Sequence, residues 1–104
     1  MNRKYMYDNE RIFMEHHPFL EFENGLTITY SDIKKKKNGS EYVTIYFEEP
    51  NEAKTDFKSA QCDYPYGEFT NVVGYSNTEI NELWKHVAKA GVLAMMFQKD
   101  KRYA

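Results

Sequence analysis

Residues with the types and spacing that chemistry requires are few in this chain, and they are scattered. Glu15, His16 and His17 are adjacent and all of metal-binding type. Neighbouring side chains on a helix or strand point in different directions, so three in a row rarely meet on one ion. No second cluster with zinc-type spacing accompanies them, and Cys62 is the single cysteine, so the sequence predicts no metal and no other cofactor. A nucleophilic Cys62 needs a histidine base beside it, and His16, His17 and His86 all lie far from it in sequence. An inert core thiol is the plainer reading. Glu48, Glu49, Glu52 and Asp56 cluster around Pro50, but acid–base work needs a burial-shifted carboxyl and turns are wet. No glycine-rich phosphate loop is present. The sequence therefore names no catalytic residue. An enzyme would need a site assembled from dispersed positions such as His86, Asp63 and Tyr64.

Binding residues are better represented. Lys34, Lys35, Lys36 and Lys37 form the one concentrated basic run, and on a hairpin connection such a run reads first as a solvated loop. With further basic residues nearby in space it would be a phosphate-contacting loop, which makes a nucleic-acid-associated protein the alternative function. Tyr42, Thr44 and Tyr46 alternate with Val43, Ile45 and Phe47, so one face of that strand carries Tyr and Thr. These residues suit the open side of a half-solvated sheet. They also suit a contact platform, because Tyr brings large rigid area with a polar tip. Near the C-terminus, Val92, Leu93, Met96 and Phe97 fall outside the apolar stripe set by Ile80, Leu83, Trp84 and Val87. A helix apolar all round must be covered all round. The cover is either the N-terminal segment or a second copy of the chain.

These side chains need elements to carry them. Asp8 or Asn9 caps a short predicted helix through Glu10, Ile12, Phe13 and Glu15, ended by Pro18 near His16. From Phe19 the period becomes two. Leu20 and Phe22, then Leu26, Ile28 and Tyr30, flank Asn24-Gly25, the pattern of a type I′ hairpin. Asn38-Gly39 after the lysines marks a second turn, and Glu41 to Glu48 reads as the next strand. After Pro50 a fourth strand runs roughly from Thr55 to Tyr64. Tyr64-Pro65-Tyr66-Gly67 reads as a type I turn, and Phe69 to Val73 as a fifth strand. Ser76-Asn77-Thr78-Glu79 is a capping box opening the final helix. Gly91 inside that helix costs about 1 kcal/mol against Ala and so marks a close approach to another backbone. Lys99, Lys101 and Arg102 sit where the helix dipole favours cations.

Strands joined by tight turns give an antiparallel meander, and the helix must cover one of its faces. The expected fold is a two-layer α+β domain of four to five strands spanning 1–104. With 16% aromatic residues and a net charge of -2, the composition is that of a folded chain rather than a disordered one. The slight acidic excess speaks against bulk nucleic-acid binding. A lone cysteine, no signal-type apolar run and no membrane-length stretch predict a cytoplasmic protein with no membrane contact. The leading expectation is a non-enzymatic protein that binds another protein through its Tyr-rich sheet face or its C-terminal helix, or itself as a homodimer through that helix. Its size and lack of motifs also suit the small proteins of bacteria and their mobile elements, including phage-borne inhibitors of host systems.

Overall fold

Two turns of the same design set the strand order. The structure, a computed structural model, describes residues 17–22, 24–65 and 67–103. The predicted helix over Glu10 to His16 lies outside them. At the first turn the Gly25 amide donates to the Phe22 carbonyl and the Phe22 amide to the Leu26 carbonyl. The Asn24 side chain accepts from the Leu26 amide at 3.0 Å. Lys36, Asn38, Gly39 and Ser40 repeat the pattern: Gly39 donates to Lys36, Lys36 to Ser40, and the Ser40 amide to the Asn38 side chain. Three residues thus separate the paired positions, where a type I′ turn has two. Among the described residues of these two turns only the glycines take positive φ, 95° at Gly25 and 90° at Gly39. Asn-Gly marks both hairpins, but the turn type differs from expectation, because each Asn side chain bonds the backbone two residues on.

The strands are β1 (His17–Glu21), β2 (Thr27–Tyr30), β3 (Lys34–Lys35), β4 (Glu41–Pro50), β5 (Phe57–Tyr64) and β6 (Phe69–Val73), followed by helix α1 (Asn77–Tyr103). They pair antiparallel in the order β1-β2-β4-β5-β6, with β3 also on β4. The meander is as predicted, and β5 begins at Phe57 rather than Thr55. The Tyr64–Pro65 bond is cis, which the type I turn expected there does not contain.

The sheet's apolar side follows from the two-residue alternation. Leu26, Ile28, Val43, Ile45 and Phe47 are buried, joined by Ala60 and Cys62 from β5. Leu83, Val87, Ala90 and Ala94 of α1 close over them. Each large aliphatic or aromatic side chain buried there contributes about 1.5–3 kcal/mol. The capping box forms as written: the Glu79 amide donates to Ser76 Oγ at 3.2 Å, and the Ser76 amide to Glu79 Oε1 at 2.9 Å. Helix α1 then runs antiparallel to β4, from the Tyr75–Glu49 contact at one end to Lys99–Glu41 at the other.

Between β2 and β3 the edge beside β4 breaks. Tyr30 pairs with Ile45 and Lys34 with Tyr42, so the first strand carries one residue more than its partner, a bulge. Ser31 keeps contact by exchanging bonds with Thr44: its amide donates to the Thr44 carbonyl, and its Oγ accepts the Thr44 amide, both at 2.9 Å. The Ser31 carbonyl and the Ile33 amide turn to the helix instead. Gln98 receives both, donating from Nε2 to Ser31 at 3.1 Å and accepting from Ile33 at 3.0 Å. One helix side chain thus stands in for a missing strand.

Candidate interaction surfaces

The last turns of α1 carry apolar side chains on more than one side, as the sequence requires. Val92, Met96 and Phe97 are 43%, 53% and 45% exposed. Leu93 is half-buried. Trp84, expected inside the stripe, is 43% exposed at its margin, its ring edge-on to Phe69 at 4.9 Å. Trp84, Ala88, Val92 and Met96 are four residues apart, so they form one continuous ridge of the kind that packs into another helix's grooves. All four are exposed. Glu82 and Lys85, bonded to each other at 2.6 Å, stand beside its Trp84 end, and Lys99 lies beyond Met96.

The Tyr and Thr face is less open than the alternation suggested. Thr44 is only 1% exposed. Its hydroxyl accepts from Lys34 Nζ at 2.9 Å and donates to Asp63 Oδ1 at 2.7 Å, so Thr44 is a buried polar link and not contact surface. Tyr42 is half-buried under two lysines, with Nζ of Lys34 and Lys36 at 5.2 and 5.7 Å from its ring centre. Such cation–π contacts are worth about 0.5–1 kcal/mol at exposed sites. The basic run is therefore divided. Lys34 and Lys35 belong to β3 rather than to the loop, and Lys34 is turned into the Tyr42–Thr44–Asp63 cluster. Tyr46, two residues on, lines a pocket on this same face with Thr27, Glu48, Ser59, Gln61 and Asn71. Strand-by-strand alternation does not reveal that pocket, because its walls come from four strands.

The dispersed catalytic set does not assemble. Asp63 bonds Thr44 on the open face, Tyr64 packs against Gly91 on the helix side, and His86 stacks on Phe22 at 5.1 Å. His17 bonds Asp32 at 2.6 Å. Among the described residues no three His, Cys, Asp or Glu side chains come together as metal ligands. Cys62 is buried, and burial with the nearby Asp63 charge pushes its thiol up to about 11, the opposite of what a nucleophile needs. A cleft of about 310 Å³ lies between the β1–β2 turn and the start of α1, lined by Glu49, Tyr75, Glu79, Glu82 and His86 among others. Its polar groups serve one another: the Tyr75 hydroxyl donates to Glu49 at 2.9 Å, and Lys58 pairs with Glu79. Burial and then Glu49 hold the Tyr75 phenol well above its usual range.

No helix among the described residues is long and apolar enough to cross a membrane. Neither the family models, nor the curated proteins, nor the solved structures yield a match to this chain.

Proposed function

We propose that this protein is a non-enzymatic binding module, and that its docking surface is the outer ridge of α1. The carrying observation is the row Trp84, Ala88, Val92 and Met96, exposed along one side of the helix. A continuous exposed apolar patch is a liability unless something covers it. The occupant proposed is a second copy of the chain. Two such ridges laid antiparallel set Trp84 against Met96 and the small Ala88 against Val92, so bulk meets space. The same arrangement brings the Glu82 end of one helix to the Lys99 end of the other, and an isologous pair makes both contacts twice.

A dilution series of amide spectra tests this. Trp84 Nε1–H and the amides of Val92 and Met96 are expected to move with protein concentration, while those of Thr27 and Gln61 on the opposite face stay fixed. Concentration-independent spectra for the ridge, from a protein that sediments as a monomer, would remove the reading.

A further inference from the structure

The open face of the sheet holds a pocket of about 210 Å³ to which none of the described side chains of α1 contributes. Its walls follow from register. Glu48 lies between Thr27 and Ser59, and Tyr46 between Thr29 and Gln61, in two adjacent rows across β2, β4 and β5. Side chains two apart on a strand share a face, so the rows converge on the same hollow. The remaining wall is Asn71, which sits in a bulge. Ser59 pairs with Val73 and Gln61 with Thr70, so Asn71 and Val72 together oppose Ala60. Asn71 adopts φ 51°, a left-handed conformation that costs most residues roughly 1–2 kcal/mol and that Asn tolerates better than most. Bulges recur beside functional sites, where they re-aim a side chain.

The polar groups here contrast with those elsewhere on the sheet. Thr44, Asp63, Ser31 and Glu49 each have a bonded partner. Among the described residues, the side chains of Thr27, Ser59, Gln61 and Asn71 make no hydrogen bond within the protein. Two hydroxyls and two amides therefore face one hollow with their bonding capacity unused. Each amide offers donors and an acceptor, and each hydroxyl offers both, which matches a ligand whose own groups are hydroxyls. Among the described residues no Lys, Arg or His lines the pocket and Glu48 supplies the only charge there, which favours an uncharged ligand over a phosphate or carboxylate. The volume falls below the roughly 300–1,000 Å³ of drug-sized sites, which leaves room for one ring.

We infer that this pocket binds one unit of an uncharged polyhydroxylated ligand, a monosaccharide ring. Gln61, Asn71 and Glu48 bond its hydroxyls, and the Tyr46 ring forms the less polar wall.

The experiment is an amide-detected titration of the full chain with glucose, galactose, mannose and N-acetylglucosamine, each to about 100 mM, since a site this small is expected to bind in the millimolar range. At least one sugar is expected to give saturating shifts of the Gln61 and Asn71 side-chain amides while the α1 ridge stays unmoved. Asn71→Gly keeps a residue suited to positive φ and deletes the amide, and Gln61→Leu deletes the other. Each is expected to weaken binding about tenfold. The 6-phosphate of the bound sugar is expected to bind more weakly than the sugar itself. Absence of saturation with all four sugars overturns the inference. So does unchanged affinity in both folded variants, or stronger binding of free arginine than of any sugar.

Discussion

The ring of Tyr64 occupies the space where a β-carbon on Gly91 would stand: that carbon would lie 2.2 Å from Tyr64 Cγ. Helix α1 and strand β5 therefore touch through a ring laid on bare helix backbone. Ala at position 91 gains about 1 kcal/mol of helix propensity, but overpacking a filled site costs about 1–3 kcal/mol. Gly91→Ala is expected to lower stability in urea denaturation despite the better helix former. In a Tyr64→Ala background the same change is expected to become stabilising. A stabilising Gly91→Ala in the unaltered chain would contradict the packing.

Gln98 spans the break between β2 and β3, and its two ends are not interchangeable. Its Nε2 donates to Ser31 and its Oε1 accepts from Ile33. Gln98→Glu is nearly isosteric and keeps the acceptor, but it sets a carboxylate against the Ser31 carbonyl. Loss of about 1–3 kcal/mol is expected, together with faster hydrogen exchange at the Ile33 amide than in the parent. A Gln98→Glu variant as stable as the parent would show that the bridge carries nothing.

Acid is expected to weaken the fold in two stages. Burial holds the His86 imidazole below its ordinary value; Lys85 and Lys89 add to this and Glu82 opposes it. A depressed folded pKa means the unfolded chain binds the proton more readily. This contribution is therefore complete above about pH 6.5 and drains as pH falls through the lower folded value. Glu79 is held low by Lys58 first and then by the Ser76 backbone, so its share is complete above about pH 4.3 and is lost below that. Lys58 is raised chiefly by the Glu79 bond; its share is present below about pH 10.4 and disappears as pH rises further. Denaturant midpoints at pH 7.5 and 5 are expected to differ in the parent and to converge in His86→Phe, which keeps a ring against Phe22. An equal drop in that variant would remove His86 as the cause.

The backbone plan was legible because period and punctuation agreed. Alternation from Leu26 to Phe47 named the buried face, Asn24-Gly25 and Asn38-Gly39 named the hairpins, and Ser76 with Glu79 named the helix start. Side-chain exposure was less legible. Thr44 alternates with Val43 and Ile45 as an outward residue does, yet Lys34 and Asp63 close over it, and neither partner is visible at strand level. Gly91 did mark a close approach, but to the Tyr64 ring rather than to another backbone. The pocket beside Tyr46 depends on the Asn71 bulge, an offset of one residue that no composition records. Helix periodicity places Val92 and Met96 outside the apolar stripe but Trp84 within it, so the full α1 ridge emerges only with the exposure of Trp84.

The ridge carries the account's central claim, and sedimentation equilibrium tests it most directly. Met96 is 53% exposed and lies on the ridge, and Glu is nearly as good a helix former, so Met96→Glu is expected to leave the monomer folded. The prediction is a parent protein that sediments as a dimer and a Met96→Glu variant that sediments as a folded monomer. A parent that remains monomeric at every concentration, or a variant that dimerises as tightly as the parent, would contradict it.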